Sequence, residues 1–175
     1  APYGKPKFKD LILANLIDVK DDGTFQLNQK YFDYSTGLKM INNDFEKLFG
    51  RKARNFNDKI DQFYMDVAAS IQIVLEEIIL KICRSIRKEY NIPNLCLAGG
   101  VALNCVANGK ILEKKIFDNI WVQPAAGDAG GSIGAALSLW HLELKKDRVV
   151  SNNDMKGSYL GPSYSQDEIE TDLKK

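Results

Sequence analysis

Two glycine-rich segments carry the residues whose types and spacing suit chemistry. They are Leu97-Ala-Gly-Gly-Val-Ala-Leu-Asn104 and Gly127-Asp-Ala-Gly-Gly-Ser-Ile-Gly-Ala-Ala136, each following a short apolar run. A glycine pair at the carboxyl end of a strand lets a ligand reach the backbone where a Cβ would block it. The helix that follows then offers free N–H groups and a positive dipole to an anion. A tight strand-to-helix turn explains the same glycines without a ligand. The segments are neither the G-x-G-x-x-G dinucleotide fingerprint nor a Walker loop with G-K-[ST]. Asn104 reads as helical, either with its amide in reach of a ribose or phosphate or simply on the surface.

Asp128 and Asp118 are the only charged residues between Lys115 and His141. A carboxylate at a strand's carboxyl end can bind a metal that in turn holds phosphate oxygens. It can equally cap a helix. A cap leaves Gly130, Gly131 and Gly134 unexplained, because a glycine inside a helix costs about 0.8–1 kcal/mol relative to alanine. Close approach of another backbone or of a ligand would account for them. The single histidine, His141, cannot build a multi-histidine site and reads as a surface or internally satisfied side chain. Cys83, Cys96 and Cys105 are odd in number and lack C-x-x-C spacing, so they indicate neither zinc nor a disulfide framework. They read as buried, reduced thiols in a reducing, cytoplasmic setting.

The elements that must position these residues follow from pattern. Asn94–Ala98 and Asn119–Val122 read as short buried strands, and Val101–Lys115 and Ile133–Leu144 as the helices after them. Strand–glycine–helix twice over predicts an α/β layer with largely parallel pairing. Upstream, Ile60, Tyr64, Val67, Ile71, Leu75, Ile78, Ile82 and Ile86 form one apolar stripe. This predicts a helix of some 30 residues, about 45 Å long, ended by Asn91-Ile-Pro93, which either crosses the whole domain or breaks near Ala68–Ser70. Its width predicts that it lies against a sheet. Asn55 and Asn57 are candidate caps before it. Lys20-Asp-Asp-Gly23 between Ile17–Val19 and Thr24–Leu27 predicts a hairpin, and Asn43–Phe49 a short helix stopped by Gly50. Lys145–Gly157 reads as a polar linker. Ser165-Gln-Asp-Glu168 has capping-box spacing, so a new helix begins there.

The chain is 175 residues with a formal net charge of +1, 45% hydrophobic and 27% charged. These values suit a soluble globular chain and provide no basic field for nucleic acid. No apolar run reaches the roughly 18 residues of a membrane span. Collagen, a disordered tail and a disulfide scaffold are excluded as well. The start at Ala1, inside what reads as a turn, suggests a piece of something longer.

In sequence order, Gly99-Gly-Val-Ala-Leu-Asn104 and Gly127-Asp-Ala-Gly-Gly-Ser-Ile-Gly-Ala-Ala136 resemble the carbamoyltransferase family, which includes nodulation and antibiotic O-carbamoyltransferases. Ala1-Pro-Tyr-Gly-Lys-Pro6 and Tyr159-Leu-Gly-Pro-Ser-Tyr-Ser165 are similar too, so the likeness spans nearly the whole chain. It implies half of an actin/Hsp70/sugar-kinase-like (ribonuclease-H-like) domain, a mixed sheet with flanking helices, similar to the tRNA threonylcarbamoyl-transfer ATPase. Residues 1–144 would be its second lobe. Residues 145–175 would be a linker toward a carbamoyl-adenylate-forming domain, with upstream and downstream parts of the same protein as partners.

The resemblance also implies roles. Gly99, Gly100, Val101 and Asn104 fall on the family's nucleotide-binding turn, and Gly4 at the nucleotide's edge. Asp128 falls on a metal ligand that joins two upstream histidines, absent here and not matched by His141, to hold iron, magnesium or manganese. In the family, ATP and carbamoyl phosphate yield a carbamoyl-adenylate, whose carbamoyl group passes to a hydroxyl or amine of a small-molecule acceptor. Two other readings remain open: a sugar-kinase-like phosphotransferase with Asp128 as base or Mg²⁺ ligand, and a catalytically inactive nucleotide-binding module.

Overall fold

In the computed structural model, which describes residues 1–149, 155 and 158–175, the apolar run after Pro6 forms helix α1 (Lys9–Asn15). Strands β1 (Ile17–Val19) and β2 (Phe25–Leu27) pair antiparallel, with Ile17 opposite Leu27 and the expected turn between them. Helix α2 (Asn43–Phe49) starts at Asn42, whose side chain accepts from the Asp44 and Phe45 N–H groups. It stops at Gly50, in the left-handed region. Helix α3 (Gln62–Tyr90) is unbroken through Ala68–Ser70 and ends at Asn91, also left-handed. Its cap is Asp61, which accepts from the Phe63 and Tyr64 N–H groups. The predicted caps Asn55 and Asn57 lie too early, and Ile60 falls outside the helix and is exposed.

Strands β3 (Asn94–Leu97) and β4 (Asn119–Val122) form a second two-stranded sheet. Pro93 O accepts from Asp118 N and Leu97 O from Gln123 N, so the two run in the same direction. Between them the single predicted helix is two pieces: a 3₁₀ turn (Gly100–Leu103), then α4 (Cys105–Glu113), with Asn104 as its extended N-cap. Helix α5 (Asp128–Ser138) begins five residues earlier than the apolar pattern suggested and continues into a π-helical turn, Leu139–Glu143. Helix α6 (Gln166–Leu173) carries the full capping box of Ser165 and Glu168. The predicted linker lies partly outside the described residues. The architecture is mixed α/β, and no described helix is long and apolar enough to cross a membrane.

The chain divides into two compact units. The first, Ala1–Leu95 with Asn104–Ile120, holds a core of Ile12, Leu16, Ile17, Tyr31, Phe49, Val74 and Ile78, with Phe8, Phe45 and Phe63 packed around it. The main neighbours of α3 here are the helices α1 and α4 rather than a broad sheet, which leaves Ile71 and Ile86 exposed. The second unit, Cys96–Leu103 with Trp121–Lys175, contains the glycine turns and α5, and α5 buries none of its residues.

Candidate functional site

In the second unit the two glycine segments meet. Strand β3 runs out through Leu97 into Gly99, whose φ of +97° favours glycine. The Gly99 N–H donates to Ala126 O at 2.7 Å, and Gln123 N donates to Leu97 O at 3.0 Å. Ala102 N donates back to Gly99 O at 3.0 Å and closes the 3₁₀ turn that carries exposed Val101. Gly99, Gly100, Val101 and the loop before Asp128 thus lie at the carboxyl ends of adjacent parallel strands, where open α/β sheets bind ligands.

Asp128 is not the cap of α5. Gly127 holds that place, with no side-chain bond, and Asp128 is the first helical residue. Its carboxylate is exposed, has no hydrogen-bond or ion-pair partner among the described residues, and lies where the helix dipole favours negative charge. The glycines divide by function. A Cβ on Gly130 would lie 2.1 Å from Ala125 O, so its own loop accounts for that residue. Gly99, Gly100, Gly127, Gly131 and Gly134 have nothing within 4 Å of a built Cβ. At these five positions the backbone carries no cover from neighbouring side chains. Beside Gly130, the side-chain oxygen of Gln123 is buried without a donor among the described residues. Sequence reasoning missed it, and its only signal was a polar residue closing an apolar strand.

The other two expected nucleotide contacts, Asn104 and Gly4, lie in the first unit and serve its packing. The Asn104 Oδ1 accepts from Ala107 N and Gln72 Nε2, both at 3.1 Å, and Asn104 Nδ2 donates to Gln72 Oε1 at 2.9 Å. A Cβ on Gly4 would lie 1.9 Å from Met65 O, so this glycine permits contact between the opening turn and α3. Met65 and Gln72 are seven residues apart on that helix, about 10 Å along its axis. Gly4 and Asn104 are thus held at separate points.

The thiols differ from expectation. Cys83 is buried, and burial pushes its thiol pKa up, but Cys96 and Cys105 are exposed; all three are free. His141, on the π-helical turn, has Nδ1 2.9 Å from Lys146 O. No group of three or more His, Cys, Asp or Glu side chains among the described residues is placed to hold a metal ion. Asp128 alone does not fit one.

Residues 1–137, which include both glycine segments, match the family model described as carbamoyltransferase N-terminus. The chain belongs to that family. It is 57% identical over 175 residues to an uncharacterized protein of Synechocystis sp., covering 99% of this chain and 28% of that one. It is 34% identical over 168 residues to nodulation protein NolO of Bradyrhizobium diazoefficiens, covering 96% of this chain and 28% of the relative. It is 35% identical over 169 residues to nodulation protein NolNO of Sinorhizobium fredii, covering 95% and 22%. The chain therefore spans between 22% and 28% of the length of these relatives.

Proposed function

We propose that this chain forms one wall of the nucleotide site of an ATP-dependent carbamoyltransferase of the cytoplasm, in which a carbamoyl group passes from carbamoyl phosphate through a carbamoyl-adenylate to a hydroxyl or amine acceptor. Family membership supports the reaction class. The observation that carries the site is the pair of glycine turns joined by the Gly99–Ala126 hydrogen bond, with open space above five glycines. Phosphates can approach the glycine backbone there unhindered by side chains, and the amino-terminal end of α5 adds favourable dipole. Val101 borders the same turn.

Asp128 enters this reading as an unpaired carboxylate in the loop bonded to the nucleotide turn. A divalent ion there requires further ligands from residues outside those described, and no step is assigned to one. The exposed apolar side chains of α5 and of the turn after it (Leu137, Leu139, Trp140 and Leu142) suit a lobe completed by more of an actin-like domain, with residues 145–175 leading onward. Alone, residues 1–175 would be inactive and bind ATP weakly, since a half-open cleft cannot offset the roughly 4–15 kcal/mol cost of association by much.

A product assay on the full-length protein tests the proposal. Release of pyrophosphate and AMP from ATP and of phosphate from carbamoyl phosphate, with a carbamoylated acceptor, is expected. ADP with a phosphorylated acceptor would instead identify a phosphotransferase, and ATP binding without turnover an inactive module.

A further inference from the structure

We propose that Gln72, in the middle of α3, is a positioning residue for nucleotide binding, acting through Asn104 rather than touching the nucleotide. The inference rests on the reading of Gly99–Leu103 as a nucleotide turn. That turn runs directly into Asn104, the N-cap of α4.

The network that holds Asn104 has a defined order. Both acceptor positions of Asn104 Oδ1 are taken, by Ala107 N and Gln72 Nε2, and one Nδ2 hydrogen goes to Gln72 Oε1. The orientation of the Gln72 amide is set from its other side, because its Nε2 also donates to Glu76 Oε1 at 2.8 Å. A carboxylate only accepts, so the nitrogen of Gln72 must face Glu76. The second oxygen of Glu76 pairs with the Lys110 ammonium of α4. Glu76 is 4% exposed. Burying a carboxylate is costly, and such pairs are weak evidence for stability. A nine-residue helix needs only the Asn104–Ala107 bond as its cap. The additional chain from Lys110 through Glu76 to Gln72 fixes both the position and the orientation of the Asn104 side chain. With its oxygen filled, Asn104 cannot accept from a ribose hydroxyl without breaking that chain.

A double-mutant cycle on the full-length protein tests this, read by calorimetric ATP affinity and by the KM for ATP in carbamoyl-phosphate-dependent pyrophosphate release. Gln72→Met keeps the length of the side chain and removes its hydrogen bonds. We expect Gln72→Met and Asn104→Ala each to weaken ATP binding about tenfold, and the double variant to be no weaker than either. The loss should fall on KM more than on kcat. Asn104→Asp, which keeps the cap and the bond from Gln72 Nε2, should lie between wild type and Asn104→Ala and serves if the alanine variant does not fold. Wild-type affinity in Gln72→Met beside a loss in Asn104→Ala or Asn104→Asp would overturn the inference, since Asn104 would then act directly. Lower melting temperatures with unchanged affinity in all variants would also overturn it and leave a purely structural tie. Failure of the wild type to bind ATP is a separate result, which removes the nucleotide reading itself.

Discussion

Asp66 gathers the opening segment onto α3. It is 2% exposed, its carboxylate pairs with the Lys7 ammonium at 2.7 Å, and it accepts from Lys5 N at 2.8 Å and Gln62 Nε2 at 2.7 Å. Lys7 first, then the Lys5 N–H and Gln62, hold its pKa at about 2, below the ordinary 3.8. A depressed carboxylate pKa favours the folded state wherever the group is ionised, so the contribution is whole above about pH 4 and fades as the pH falls toward 2. The urea midpoint of the chain should drop across that window. An Asp66→Asn variant, weaker at neutral pH, should drop less over the same interval, and parallel curves would contradict the assignment. In the sequence Asp66 is legible only as an acid near the start of a helix, because Lys5 and Lys7 lie some 60 residues away. The same separation hides the role of Gly4, whose neighbour Met65 no local pattern connects to it.

The elements that sequence foretells well are those with local signals. The stripe through α3, the left-handed stops at Gly50 and Asn91, the β1–β2 turn and the Ser165 capping box each reside within a few consecutive residues. Strands β3 and β4 are equally plain, as apolar runs that enter glycine. The boundaries that differ are set by tertiary partners. Val101–Lys115 has helical composition throughout, yet it breaks at Asn104 because Gln72 supplies that amide with a partner. The neighbours of α3 are helices and not the expected sheet, because a wide apolar face does not reveal which of the two covers it. At this scale the Glu76–Lys110 pair joins α3 to α4. Lys110→Met leaves a buried carboxylate without its counter-charge and should destabilise the chain by about 3 kcal/mol in urea or thermal unfolding. Adding Glu76→Gln should recover most of that loss, and a neutral single variant would show that the pair contributes little.

Across the whole molecule the two units differ in how much they bury. Among the described residues the second unit has only Ala102 and Ala126 buried, while α5, the π-helical turn after it and β4 leave Leu137, Trp140 and Trp121 about half exposed. A sheet of two strands is marginal alone in water. Hydrogen exchange on residues 1–175 should therefore find α3 protected and α5 exchanging fast, and in the full-length protein α5 should slow. Equal rates for α5 in both would show that nothing more covers it. The apolar character of α5 was legible in the sequence, but its lack of cover was not, since periodicity shows a face and never its partner. The two glycine motifs were legible in the sequence, whereas their junction through Gly99 and Ala126 required the fold. The central claim, that this junction is the nucleotide site, is tested most directly at Gly100, which has no positive φ and nothing within 4 Å of a built Cβ. In the full-length protein Gly100→Val should leave the melting temperature unchanged and weaken ATP binding by calorimetry at least about tenfold, as a methyl-bearing side chain fills the space above the backbone. Wild-type affinity in that variant would contradict the account.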